Sequence, residues 1–174
     1  MGVGLRRDEV NIAHKAILDD LQRRGWGVLL EAVPRPIPED VGLRYGWLPR
    51  DIRSLAEEVE YAVSPDEKAW LNTAADLSAG NASAFQWNQW EIDSLAAAGS
   101  DARLRRTIRT FWDRHFPVMI SLKSGYAYFA IRAQGSMVVR GEEPEYEHTT
   151  VVADSFTRFL ELIRSNDPRL ARWI

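Results

Sequence analysis

Between Phe111 and Ile163 the chain packs a helix end, three strand-like runs, an acidic loop and a capped helix into one stretch, FWDRHFPVMISLKSGYAYFAIRAQGSMVVRGEEPEYEHTTVVADSFTRFLELI. Val118 to Lys123, Tyr126 to Arg132 and Met137 to Arg140 are rich in β-branched and aromatic residues, and Ser124-Gly125 and Gln134-Gly135 separate them. Turns that short join only antiparallel neighbours, so these runs predict an antiparallel meander. Strand alternation places Tyr126 and Tyr128 on one face and Ala127 and Phe129 on the other, leaving open which face is core. Thr149 to Ala153 reads as a further strand, and Asp154 as the cap of a helix whose Phe156, Phe159, Leu160 and Ile163 form one apolar stripe against the sheet.

Upstream, helices dominate. Val10, Ala13, Ile17 and Leu21 recur at helical spacing between Asp8 and Arg24, and Gly25 is placed to end that helix. Trp26 to Val33 reads as a strand entering a stiff loop with Pro34, Pro36 and Pro38, with a buried helical segment as the alternative. A second helix opens at Leu48, Pro49 and Asp51 and turns Ile52, Leu55, Ala56 and Val59 inward. Ser64-Pro65-Asp66-Glu67 has the form of a capping box and predicts a helix through about Leu77, broken by Ala79 to Ser83. Asn88 is the expected cap of a helix with Ile92 and Leu95. Ser100 is the expected cap of another with Leu104, Ile108, Phe111 and Trp112, which Pro117 ends. Helices first, then strands, then a helix describe an α+β single domain, an antiparallel or mixed sheet meander flanked by helices.

The chain's 174 residues, 45% of them apolar, suffice for one domain with a substantial core. Lysine and arginine number 22 against 25 acids, so no general excess of positive charge invites nucleic acid or an anionic membrane. Without cysteine there is neither a disulfide framework nor a thiolate metal site. No apolar run reaches the roughly 18 residues of a membrane span, and the expectation is a soluble, cytoplasmic protein.

Catalytic signals are weak. His14, His115 and His148 are scattered, with no metal-ligand spacing, and neither a phosphate loop nor a nucleophile elbow is present. His115 reads as a structural residue at a helix end. As a catalytic base it would need Asp113 as orienter, and near neighbours on a helix do not face each other. Glu91 and Asp93 read as first-turn acids that offset a helix dipole rather than an acid/base pair. The expected protein therefore has no catalytic residues, no metal and no cofactor. Its candidate contact residues are Glu142, Glu143, Glu145 and Glu147 in the loop GEEPEYE, Tyr146 as a rigid aromatic anchor among them, and Trp87 and Trp90 in FQWNQW, which serve equally well as anchors or core. Trp112, on an apolar helical stripe, reads as core.

The Leu48-Pro49 helix start, Phe85-Gln86-Trp87-Asn88, Phe111-Trp112-Asp113-Arg114-His115-Phe116-Pro117, Gly125-Tyr126-Ala127-Tyr128 and Val152-Ala153-Asp154-Ser155-Phe156 followed by Phe159-Leu160 together resemble the SUKH superfamily of Smi- and Knr-like proteins. The resemblance covers residues 43–164, whereas 1–42, with the N-terminal helix and the Pro-rich loop, depart from it. It implies an immunity protein that binds and neutralises a cognate polymorphic toxin, such as a nuclease or deaminase. A nuclease cleft must be basic to hold phosphate, so an acidic loop suits its occlusion. The alternatives are a scaffold or regulatory module of the same fold with an endogenous partner, and a small hydrolase around His115.

Overall fold

The computed structural model describes residues 7–78 and 86–174, with side chains from residue 12 onward. The side chain of Val10, and Phe85 and the break at Ala79 to Ser83, lie outside what is described. The elements run α1 (Arg7–Arg23), β1 (Gly27–Leu30), α2 (Glu39–Arg44), α3 (Arg50–Glu58), β2 (Val59–Val63), β3 (Ala69–Leu71), α4 (Ala74–Ser78), α5 (Gln89–Ala97), α6 (Ala102–Trp112), β4 (His115–Ser121), β5 (Ala127–Arg132), β6 (Val138–Glu142), β7 (Glu145–Ala153) and α7 (Phe156–Arg164). All seven strands form one antiparallel sheet in sequence order, β1 through β7. The chain is a single α+β domain, and among the described residues no helix is long and apolar enough to cross a membrane.

Alternation along the central strands feeds two cores, one on each face of the sheet. Ala127, Phe129 and Ile131 enter a large core with residues of α1, α3 and α7, and Tyr128 and Ala130 enter a smaller one with Trp90, Ile108 and Trp112. Both faces of these strands are therefore buried. All seven residues of β4 are buried for the same reason. A register step between Pro117↔Ala130 and Met119↔Phe129 makes Val118 an extra residue, so that Val118 and Met119 both reach the large core. Proline is tolerated at such a bulge because the ladder is already interrupted. Gly125 and Gly135 carry φ of +91° and +82°, as their turns require.

Helix α7 presents Phe156, Phe159, Leu160 and Ile163 to the large core, as their spacing predicts, and Phe159 lies 4.9 Å from the ring of Phe129. Helix α1 packs on α7 and α3 through Ile17, Leu18 and Leu21, and His14 Nε2 meets Thr157 Oγ1 at 2.9 Å. The N-terminal helix is thus part of the core rather than an appendage.

Several local expectations are corrected. Ser64 to Glu67 do not start a helix but turn the β2–β3 hairpin. The Glu67 amide donates to the Ser64 carbonyl (2.9 Å), and Asp66 Oδ1 accepts from Ser64 Oγ (2.6 Å) and the Lys68 amide (3.2 Å). Ser, Pro and Asp satisfy a β-turn as readily as a helix start, and the strand-forming flanks decide between them. Helix survives only in α4, where Asp76 accepts from the Thr73 amide at 2.8 Å. Asp101, not Ser100, caps α6 by accepting from the Leu104 amide, and Ser155, not Asp154, caps α7 by accepting from the Arg158 amide. Asn88 holds the cap position of α5 without a side-chain cap bond. Helix α6 ends at Trp112, before Pro117, which already belongs to β4.

Candidate functional site

The acidic loop is the end of the β6–β7 hairpin. Glu142 pairs with Glu145 across the strands, leaving Glu143 and Pro144 as a two-residue turn with a cis peptide between them. The Glu143 amide donates to the Tyr126 carbonyl at 2.9 Å, which ties the turn to the entry of β5. Strand β7 therefore begins inside the loop, and alternation turns Tyr146 inward while Glu145 points out. Tyr146 stacks on Trp90 at 5.0 Å and 28°, and Trp90, fully buried, also meets Tyr126 at 5.6 Å. The Tyr128 hydroxyl donates to the Tyr146 carbonyl, and Trp112 Nε1 donates to Glu147 Oε1 at 2.9 Å. Gly141 makes this packing feasible, because a Cβ there would run into the Tyr128 ring.

This geometry divides the predicted contact residues. Glu143 and Glu145 are exposed, and the Glu143 carboxylate has no hydrogen bond or ion pair with another described residue. Glu145 lies 3.4 Å from His148 in a largely exposed pair, an interaction of little energetic consequence. Glu142 is drawn to the opposite side, where it accepts from Trp173 Nε1 (3.2 Å) and Arg140 (3.4 Å) and lies 3.9 Å from Arg172. Arg140 stacks on the Trp173 ring at 3.8 Å. Tyr146 is core, which corrects the expectation of a free anchor, and Trp90, for which anchor and core stood level, is core as well. Trp87 is half-buried and packs edge-on against Tyr45 at 6.1 Å, away from the hairpin.

Burial pushes the Tyr146 phenol up to about 12, with Glu143, Asp93 and Glu147 adding to the effect. Burial and Glu147 likewise hold the Tyr128 phenol above its ordinary value. Both remain neutral hydroxyls at physiological pH.

An ion network absent from the sequence reading braces the same end of the molecule. Arg44, at the end of α2, donates to both carboxylate oxygens of Glu91 at 2.8 Å and through Nε to Asp113 at 2.8 Å. Trp47 Nε1 donates to the Asp113 carbonyl (2.9 Å) and the Tyr45 hydroxyl to that of Trp112 (3.0 Å). Burial opposes the Arg44 charge, but its bonds to Glu91 and Asp113 outweigh that and raise its pKa. Glu91 is thus committed to a structural ion pair, and Asp113 faces Arg44 rather than His115. His115 opens β4, stacks on Phe111 at 3.9 Å and donates from Nδ1 to the Phe111 carbonyl at 2.7 Å. Burial, reinforced by Arg132 and Arg114, lowers its pKa, so it is a neutral packed ring rather than an imidazolium at a helix end.

No family model matches this chain, and no curated protein or solved structure matches it either. Among the described residues no three His, Asp or Glu side chains are grouped as metal ligands. The hairpin end, Trp90 and Tyr146 come together, and Trp87 stands apart. Asp93, Ala97 and Leu104, which line a groove beside the hairpin, were not singled out as binding residues. The period-two pattern Glu145-Tyr146-Glu147 around Pro144 was the signal that could have placed the hairpin and the inward tyrosine.

Proposed function

We propose that this protein is a binding protein without catalytic activity, which docks the acidic end of its β6–β7 hairpin on a basic surface of a protein partner. In line with the resemblance to the SUKH superfamily, the partner is a polymorphic toxin, neutralised by occlusion. The observation that carries the reading is the anchoring of the acidic tip. Glu143 and Glu145 project from a hairpin end whose backbone is bonded to Tyr126 and whose Tyr146 is stacked on Trp90. A pre-ordered contact surface loses little conformational entropy on binding, and exposed carboxylates steer encounter with a basic partner. Coexpression with the proposed partner, a toxin sought among the neighbouring genes, tests this. Restored growth together with a stoichiometric complex is the expected result, whereas failure to protect, or turnover of the toxin or of a hydrolase substrate by the purified protein, contradicts it.

A further inference from the structure

A groove of about 370 Å³ runs beside the hairpin. Its walls are Asp93 and Ala97 of α5, Leu104 and Ile108 of α6, and Glu143 and Pro144 of the turn. The small side chains at Ala97 and Ala98 open the floor, and Leu104 remains 46% exposed on it. Tyr146 lines the inner end. Only 8% of the residue is exposed, and its hydroxyl, which has no hydrogen bond to another described residue, opens into the groove. Asp93, Glu143 and Glu147, from three separate elements, all act on that one phenol, so the acidic rim converges on it. Among the lining residues there is no lysine, arginine or histidine to balance the three carboxylates.

Resting on the proposed reading of the hairpin as a docking surface, we infer that this groove seats an arginine side chain of the protein partner, its aliphatic stem along Leu104 and Ala97 and its guanidinium among Asp93, Glu143 and the Tyr146 hydroxyl. An apolar floor with an acidic rim matches a side chain that is apolar along its stem and charged at its end. Arginine fits better than lysine, because its planar fork directs several donors at once to separated acceptors, and a neutral phenol oxygen is such an acceptor.

The test uses the full chain, ¹⁵N-labelled, titrated with acetyl-Leu-Arg-Leu-Arg-amide and with the same peptide carrying citrulline, the neutral isostere of arginine. Amide shifts are expected at residues 93–98, 104–108 and 143–147, with the citrulline peptide weaker by about tenfold. Asp93→Asn/Glu143→Gln, two exposed positions, should weaken the arginine peptide to a similar degree, whereas Asp19→Asn on α1 should not. Equal binding of both peptides, shifts elsewhere, or an unaffected double variant would overturn the inference. Protection assays separate it from the parent reading. A double variant that loses the peptide yet protects fully against the toxin removes the groove from the interface and leaves the function standing. Wild-type protein that binds the peptide in the groove but gives no protection leaves the groove and removes the toxin.

Discussion

Tyr146 lies between glutamates in sequence, yet its ring belongs to the core, and that changes what its replacement does. Tyr146→Ala would empty the space under Trp90 and should cost about 3 to 5 kcal/mol of stability, read from urea unfolding, rather than merely weaken a contact. Gly141→Ala should cost about 1 to 3 kcal/mol in the same assay, because the added methyl meets the buried Tyr128 ring. Arg44→Ala should be more damaging than its partly exposed position suggests, about 3 kcal/mol, because it leaves Glu91 buried without a counter-charge. An Arg44→Met/Glu91→Leu double variant should recover most of that loss. Wild-type-like unfolding of Arg44→Ala would show that the network contributes nothing to stability. At this scale the sequence reading was weakest: Arg44 and Glu91 are 47 positions apart, and nothing local marks a pair of that kind.

Elements were more legible, for physical reasons that differ between them. The stripe of α7 and the glycine turns of β4 to β6 were readable because apolar spacing and positive φ are properties of neighbouring residues. Phe159→Ala should cost about 3 to 5 kcal/mol, since the ring is fully buried against Phe129, and wild-type-like unfolding of that variant would refute the packing. Ser64-Pro65-Asp66-Glu67 misled because the same hydroxyl and carboxylate can bond either the first amides of a helix or those of a turn. What separates the cases is the strand pairing of Val63 with Trp70, which is a tertiary fact. The caps of α6 and α7 each fell one residue late, at Asp101 and Ser155, where two adjacent polar residues competed for the role. The acidic loop was visible as charge, but its strand character was not credited, and so the inward turn of Tyr146 was missed.

The whole molecule places one sheet between two helical layers, and its buried titratable groups give it a bounded pH range. His14 and His115 have lowered pKa values because burial disfavours the charged ring. The unfolded chain therefore takes up their protons first as pH falls below the ordinary 6.5, and stability present above that value is lost. Tyr45, Tyr128 and Tyr146 are raised above 10.0 by burial, so the unfolded chain releases those protons first and stability falls as pH rises beyond 10.0. Each tyrosine contributes a slope of about 1.4 kcal/mol per pH unit there. Urea midpoints measured against pH should show a plateau between these limits, and a midpoint still rising above pH 10 would contradict the buried phenols. The central claim, an anchored acidic tip that finds a basic partner, is tested most directly by the association rate constant with the proposed toxin partner, at low and high salt. Glu143→Lys/Glu145→Lys should slow association at low salt by about tenfold or more and flatten its salt dependence, while leaving the melting temperature unchanged because both side chains are exposed. A double variant that associates as fast as the wild type, with the same salt dependence, would show that the partner does not meet the molecule at this hairpin.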